Sequence, residues 1–168
     1  MKVDSGEIGR RIETFKARVR EAGVKLTHQR LQIFREVAAS LEHPDAEAIL
    51  RALKPRMPTV SLDTVYRTLW LLNGLRLVTT LGPRRQSVRF DANLKDHHHY
   101  VCEQCGRVRD FENAAFDEIR IPAAVRAFGT VIRIQVEIRG ICEACARQKG
   151  RQSPATNRKR HRRRERKT

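Results

Sequence analysis

The stretch from Lys95 to Asp110, KDHHHYVCEQCGRVRD, sets three histidines beside a Cys-x-x-C and flanks both with carboxylates. A second Cys-x-x-C, Cys142 and Cys145, is separated from Cys105 by 36 residues, and the chain has no other cysteine. Two such pairs, each on a tight turn, complete a closed, soft, tetrahedral shell of four thiolates, which suits Zn(II) best. A dithiol redox switch and buried free thiols are the competing readings. The wide gap makes such a zinc a staple across the ends of a domain, steadying the fold without sensing anything. The histidines offer different chemistry. On a strand, His97 and His99 point to one side and His98 to the other, so the first two can share an ion whose remaining ligands come from elsewhere. On these residues alone a solvated edge strand explains the pattern equally well. Metal binding is favoured by the company of Asp91 on a connector, Asp110 on the return strand, and His43 at a helix break.

The rest of the chain has to position these groups. Ile8, Ile12, Phe15 and Val19 recur at helical spacing and predict a first amphipathic helix closed by Gly23. Thr27 is placed to cap a second helix, with Leu31, Ile33, Phe34 and Val37 on its apolar face. Asp45 caps a short third helix through Ile49, Leu50 and Leu53. Ser61 caps a fourth, SLDTVYRTLWLL, which stops at Asn73-Gly74 and buries Leu62, Val65, Leu69 and Leu72. Trp70 is expected in the core. Two β-prone runs around Gly82-Pro83-Arg84-Arg85 read as a hairpin with a basic tip. Beyond a connector come a strand, the CxxC turn and a return strand, then a helix around residues 116–128 that Pro122 kinks or delays. VIRIQVEIR, residues 131–139, alternates apolar and polar side chains and predicts a strand with one buried face. A sheet this small needs a partner, and a second copy of the chain is the simplest one. The fold class is therefore α+β. Residues 1–90 form a winged helix-turn-helix for DNA binding, residues 91–95 a hinge, and residues 96–148 a small α/β dimerisation and metal-binding domain. Residues 149–168 form a disordered basic tail.

A formal net charge of +16 and a pI near 10.9 point to a polyanionic partner such as double-stranded DNA. The segment from Arg147 to Thr168 carries +10 of that charge, which leaves a moderately basic body of +6. The tail RKRHRRRERK fits a nonspecific DNA-affinity role and a solvated tail of no defined role equally well. No apolar run approaches the roughly 20 residues that span a bilayer, and the N-terminus lacks a secretory apolar core, so a cytoplasmic protein without a membrane partner is expected. A zinc metalloenzyme using three histidines and a bound water is a competing class, but HExxH is absent, and the expectation is a non-enzyme. An RNA-binding zinc ribbon is disfavoured by an aromatic content of only 5%.

Six segments, GVKLTHQR, EHPDAEAI, TVYRTLWLL, RFD, HHHYVCEQCGRVRDF and GICEAC, fall in order from Gly23 to Cys145. In them the chain resembles the ferric uptake regulator (Fur) family of metal-dependent repressors. The resemblance implies a winged-helix domain hinged to a dimerisation domain, with a regulatory Fe(II) or Mn(II) bridging the two through His43, Asp91, His97, His99 and Asp110. Aspartates at positions 91 and 110 are similar to the peroxide-sensing PerR branch. That branch implies His43 or His97 as the residue oxidised when peroxide meets Fe(II). An iron-, zinc- or manganese-uptake regulator of the same family is the alternative. A further site of many iron-sensing members uses a His on the last strand. VIRIQVEIRG has none, so that site is expected to be absent and His98 to lack its family role. The implied DNA contacts are Tyr66 and Arg67 on the recognition helix, Lys25 in the minor groove, and Arg30, Arg84 and Arg85 on phosphates.

Overall fold

The structure, a computed structural model, describes residues 3–81 and 88–151. Four helices open it: α1 Ser5–Glu21, α2 His28–Ala39, α3 Ala46–Leu53 and α4 Leu62–Gly74. Each starts on a side-chain cap. Asp4 accepts from the backbone N–H groups of Gly6 and Glu7, Thr27 from Arg30, Asp45 from Ala48 and Ser61 from Thr64. Such caps contribute about 1 kcal/mol each. The apolar stripes of the helices meet in one core in which Phe15 stacks on Phe34 with ring centroids 4.7 Å apart. Val65, Leu69 and Leu72 bury the inner face of α4, while Leu62 is only partly buried.

The chain then makes a two-stranded wing, β1 Thr79–Leu81 against β2 Arg89–Asp91, antiparallel with Thr79 opposite Asp91. The hairpin tip with Arg84 and Arg85 lies outside the described residues. On its other side β2 touches the segment before α3: Phe90 N–H donates to the Pro44 carbonyl at 3.1 Å, and Asp45 bridges Arg89. This pairing carries His43 alongside Asp91.

The second unit is a three-stranded sheet of order β4-β3-β5, from β3 His98–Cys102, β4 Val108–Phe111 and β5 Glu137–Gly140. β3 and β4 form the antiparallel hairpin, with His99 opposite Asp110, and β5 runs parallel to β3. Leu81 of the wing packs with Val101 and Val108 of this hairpin, joining the two units through a small apolar cluster.

Four expectations need correction. In place of one helix around 116–128 there are two single turns, α5 Ala114–Asp117 and α6 Ala123–Arg126, divided at Pro122, which has no N–H to continue a helix and sits at the start of α6. Of the alternating run 131–139 only Glu137–Arg139 joins the ladder. Its apolar residues are incompletely covered, with Ile132 84% and Ile138 41% exposed and Ile134 and Val136 half-buried, because one chain supplies no second layer for that face. Trp70 is half-exposed, resting edge-on against buried Phe90 at 5.9 Å. Finally, the second Cys-x-x-C opens a helix, α7 Glu143–Arg151, so the expected tail begins inside a helical segment; residues 152–168 lie outside the described residues.

Candidate metal centres

The sulfur site is assembled from both ends of the second unit. Cys102 ends β3, and the turn behind it is closed by Gly106, which adopts φ +67° and donates from N–H to the Cys102 carbonyl at 2.8 Å. That left-handed conformation favours glycine. Cys142 precedes α7 and Cys145 lies in its first turn. The four sulfur atoms lie within 4.8 Å of one another. The Cys105 and Cys142 sulfurs are 3.8 Å apart, and all four thiols are free. Backbone N–H groups of Cys142 and Cys105 pull the Cys102 thiol down to about 6, whereas burial beside the other sulfurs pushes Cys145 up to about 12. Four thiolates cannot share this space as anions without a cation among them. A closed sulfur shell of this kind fits Zn(II) and offers no open position.

The second centre draws on both units. His43 sits between α2 and α3 in the left-handed region, φ +49°, a conformation uncommon outside glycine and tolerated better by His than by bulkier side chains. Asp91 ends β2, His97 precedes β3, His99 lies within β3, and Asp110 faces it from β4. Their donor atoms lie within 4.8 Å of one another. His43 Nε2 is 2.8 Å from Asp110 Oδ1, His97 Nε2 is 2.9 Å from Asp91 Oδ2, and the Nε2 atoms of His97 and His99 are 3.0 Å apart. Four of the five side chains are almost fully buried, and Asp110 is 25% exposed. Asp91 Oδ2 and Asp110 Oδ1 lack aligned hydrogen-bond partners despite these short approaches. Lone pairs that converge on a shared point, rather than on one another's protons, fit a divalent cation. Three imidazoles and two carboxylates suit Fe(II), Mn(II) or Zn(II) and impose no soft-metal preference.

Electrostatics agree with that fit. Burial raises the Asp91 carboxyl, but the His97 and His99 imidazoles outweigh it and bring it down to about 2. Asp110 is likewise buried, yet His43 and His99 hold it well below the usual carboxylate range. Burial lowers the imidazoles, and the facing carboxylates reverse this, raising His97 and lifting His99 to about 9. Without metal, the two carboxylates favour the protonated form of His99.

Around these five lies a set of contacts that spacing alone does not reveal. Asn93, in the connector, donates from its backbone N–H to Asp91 Oδ1 at 2.7 Å and from its side chain to Asp110 Oδ2 at 3.4 Å. The Lys95 carbonyl accepts from His97 Nδ1 at 2.7 Å. The only available signal was an Asn two residues after Asp91, the usual spacing of a local Asx turn. His98 points the other way, as strand alternation requires. It is buried between Phe111 and Phe116, accepts from Val136 N–H at 3.3 Å, and approaches Asp117 at 3.2 Å. There it ties α5 to the sheet.

The residues expected to meet DNA are more scattered. Tyr66 packs partly against the core, Arg67 pairs with Asp63 at 2.9 Å on the exposed side of α4, and Lys25 is exposed. Arg30 donates to the Lys25 carbonyl, so its guanidinium is already engaged at the start of α2. Among the described residues no helix is long and apolar enough to cross a membrane.

Residues 21–138 match the Ferric uptake regulator family. The peroxide-responsive repressor PerR of Staphylococcus aureus is 36% identical over 145 residues, covering 86% of this chain and 98% of that protein. The Campylobacter jejuni peroxide stress regulator superposes with a TM-score of 0.61 at 25% identity, covering 80% of this chain and 98% of that one. The Helicobacter pylori ferric uptake regulator reaches 0.69 at 20% identity over 87% and 97% of the two chains, a likeness of fold.

Proposed function

The chain belongs to the ferric uptake regulator family, and from that premise we propose that it is a metal-dependent dimeric transcriptional repressor that responds to peroxide. One observation carries this reading: donors from both units converge on a single buried point, with aspartate at both carboxylate positions. When bound there, Fe(II) supplies reactivity toward hydrogen peroxide that Mn(II) lacks. His43 comes from the helical unit, and Asp91 from the base of the wing. His97, His99 and Asp110 come from the hairpin of the second unit. Only one arrangement of the two units satisfies all five, so occupancy favours that arrangement over others, which is the differential contact an allosteric switch needs. In a dimer it fixes the separation of two α4 helices, each presenting Tyr66 and Arg67 to a major groove, with Lys25 reaching a minor groove and Arg30, Arg84 and Arg85 close to phosphates. The exposed apolar face of residues 131–138 supports pairing with a second copy. The four cysteines hold a structural Zn(II) in both states, and the repressor works in the cytoplasm on a palindromic, AT-rich operator.

The peroxide reading is tested by treating the Fe(II) protein with low hydrogen peroxide and mapping peptides by mass spectrometry. One added oxygen on His43 or His97, together with loss of operator binding, is expected. No adduct with binding retained would return the protein to the iron-, zinc- or manganese-uptake regulators of the family.

A further inference from the structure

The connector between β2 and β3 has no ladder to hold it, yet one of its carbonyls is gripped from two sides. The Lys95 carbonyl accepts from His97 Nδ1 at 2.7 Å and from Arg133 Nη2 at 2.8 Å. A carbonyl oxygen has two lone pairs, so both donors are satisfied together. His97 turns Nε2 inward, 2.9 Å from Asp91 Oδ2. The Lys95 carbonyl can only accept, so the outer nitrogen, Nδ1, carries a proton, and the carbonyl is what fixes it there. Restraint of that carbonyl from its own segment is weak, since Lys95 N–H reaches Asn93 Oδ1 only at 3.4 Å. The other contact of the Arg133 head group is Asp96, with Nε 3.4 Å from an oxygen of a 79% exposed side chain and without hydrogen-bond alignment. Exposed pairs of that kind contribute little, so the bond to the Lys95 carbonyl is the specific one.

We propose that Arg133 is a positioning residue of the His/Asp centre: by clamping the Lys95 carbonyl it holds His97 in the tautomer and orientation that leave Nε2 free for a metal. The guanidinium acts through a peptide group and touches no ligand itself, which is why no spacing rule points to it. Partners of this outer kind tune metal affinity by about 10- to 100-fold.

The test uses the full-length, zinc-containing protein and compares wild type with Arg133→Met, which keeps the stem and removes the donors, and with Arg133→Lys, which keeps one donor. Mn(II) affinity is expected to fall about 10- to 100-fold in Arg133→Met and to recover in part in Arg133→Lys, with cysteine-bound zinc and dimer mass unchanged. With Zn(II) filling the centre, nitrogen-15 spectra should show a slowly exchanging His97 Nδ1–H that exchanges faster in Arg133→Met. Wild-type affinity and protection in Arg133→Met would overturn the proposal. So would a freely rotating Arg133 guanidinium in the wild-type spectrum, a result that stands even if both variants fail to fold. The proposal rests on the metal-centre reading above: wild type that binds no Mn(II) sinks both, whereas wild-type binding that ignores Arg133 sinks only this one.

Discussion

Metal binding at the His/Asp centre should be a proton-release reaction, and the structure sets its size. With His99 lifted to about 9, its imidazole is almost fully protonated at pH 7, and a metal needs it neutral. His97 is raised above its ordinary value as well, the facing carboxylates and the Lys95 carbonyl acting against burial. Asp91, held at about 2, and Asp110, held lower still, are already anions and release nothing. Filling the site at pH 7 should therefore expel about one proton, the one on His99, and affinity should rise about tenfold per pH unit while that proton is displaced. From pH 6.5 to 8.5 Mn(II) affinity should climb by up to about a hundredfold, then level off above about pH 9. The same raised pKa stabilises the metal-free fold below about 6.5, and that contribution is lost as pH rises through about 9. Metal-free protein should thus weaken toward alkaline pH while the filled form does not. Calorimetric titration of the zinc-containing protein with Mn(II), in buffers of different ionisation enthalpy, counts the protons directly. A proton count near zero at pH 7, or an affinity flat across that range, would refute the pairing of imidazoles with buried carboxylates.

Three other outcomes follow from the same geometry. Cys142→Ser should lose the structural zinc and unfold the second unit while the helical unit keeps its core, seen as loss of β-sheet circular dichroism and of zinc by metal analysis. Trp70→Ala should destabilise by less than the ~3–5 kcal/mol of a core tryptophan, because half of its surface is already exposed; denaturant titration measures the difference. Operator affinity should fall steeply with salt, with a log–log slope of about −0.9 per phosphate neutralised, and a shallow slope would remove the basic residues from the interface.

The first four helices are legible from their apolar period, and for three of them a cap agrees with it: Thr27, Asp45 and Ser61 stand where the spacing begins. The five His/Asp donors were named from motif resemblance, and pairing of β2 with residues 44–45 is what brings His43 to them. What escaped the sequence depends on distant partners. Trp70 has a core residue's chemistry, yet its place on α4 puts it on the edge of the wing. Alternation in 131–139 marks a face that requires cover, but it does not say that the cover lies within the same chain. The run EACARQKGR lacks an apolar stripe, so α7 left no periodic trace. Asn93 and Arg133 act through a side-chain amide and a peptide carbonyl across 17 and 38 residues of chain, and neither contact has a spacing rule.

The central claim is that one ion, held from both units, sets the DNA-binding arrangement. Fluorescence anisotropy of a labelled operator, with and without Mn(II), on wild type and His43→Ala tests it most directly. His43 is the donor from the helices, so its loss leaves Asp91 as the first unit's remaining ligand and weakens the bridge, while the hairpin ligands and the zinc site stay in place. Mn(II) should raise wild-type affinity by about 5- to 150-fold, the usual range of allosteric coupling, and should leave His43→Ala near the metal-free value. Equal binding by both proteins, indifferent to Mn(II), would contradict it.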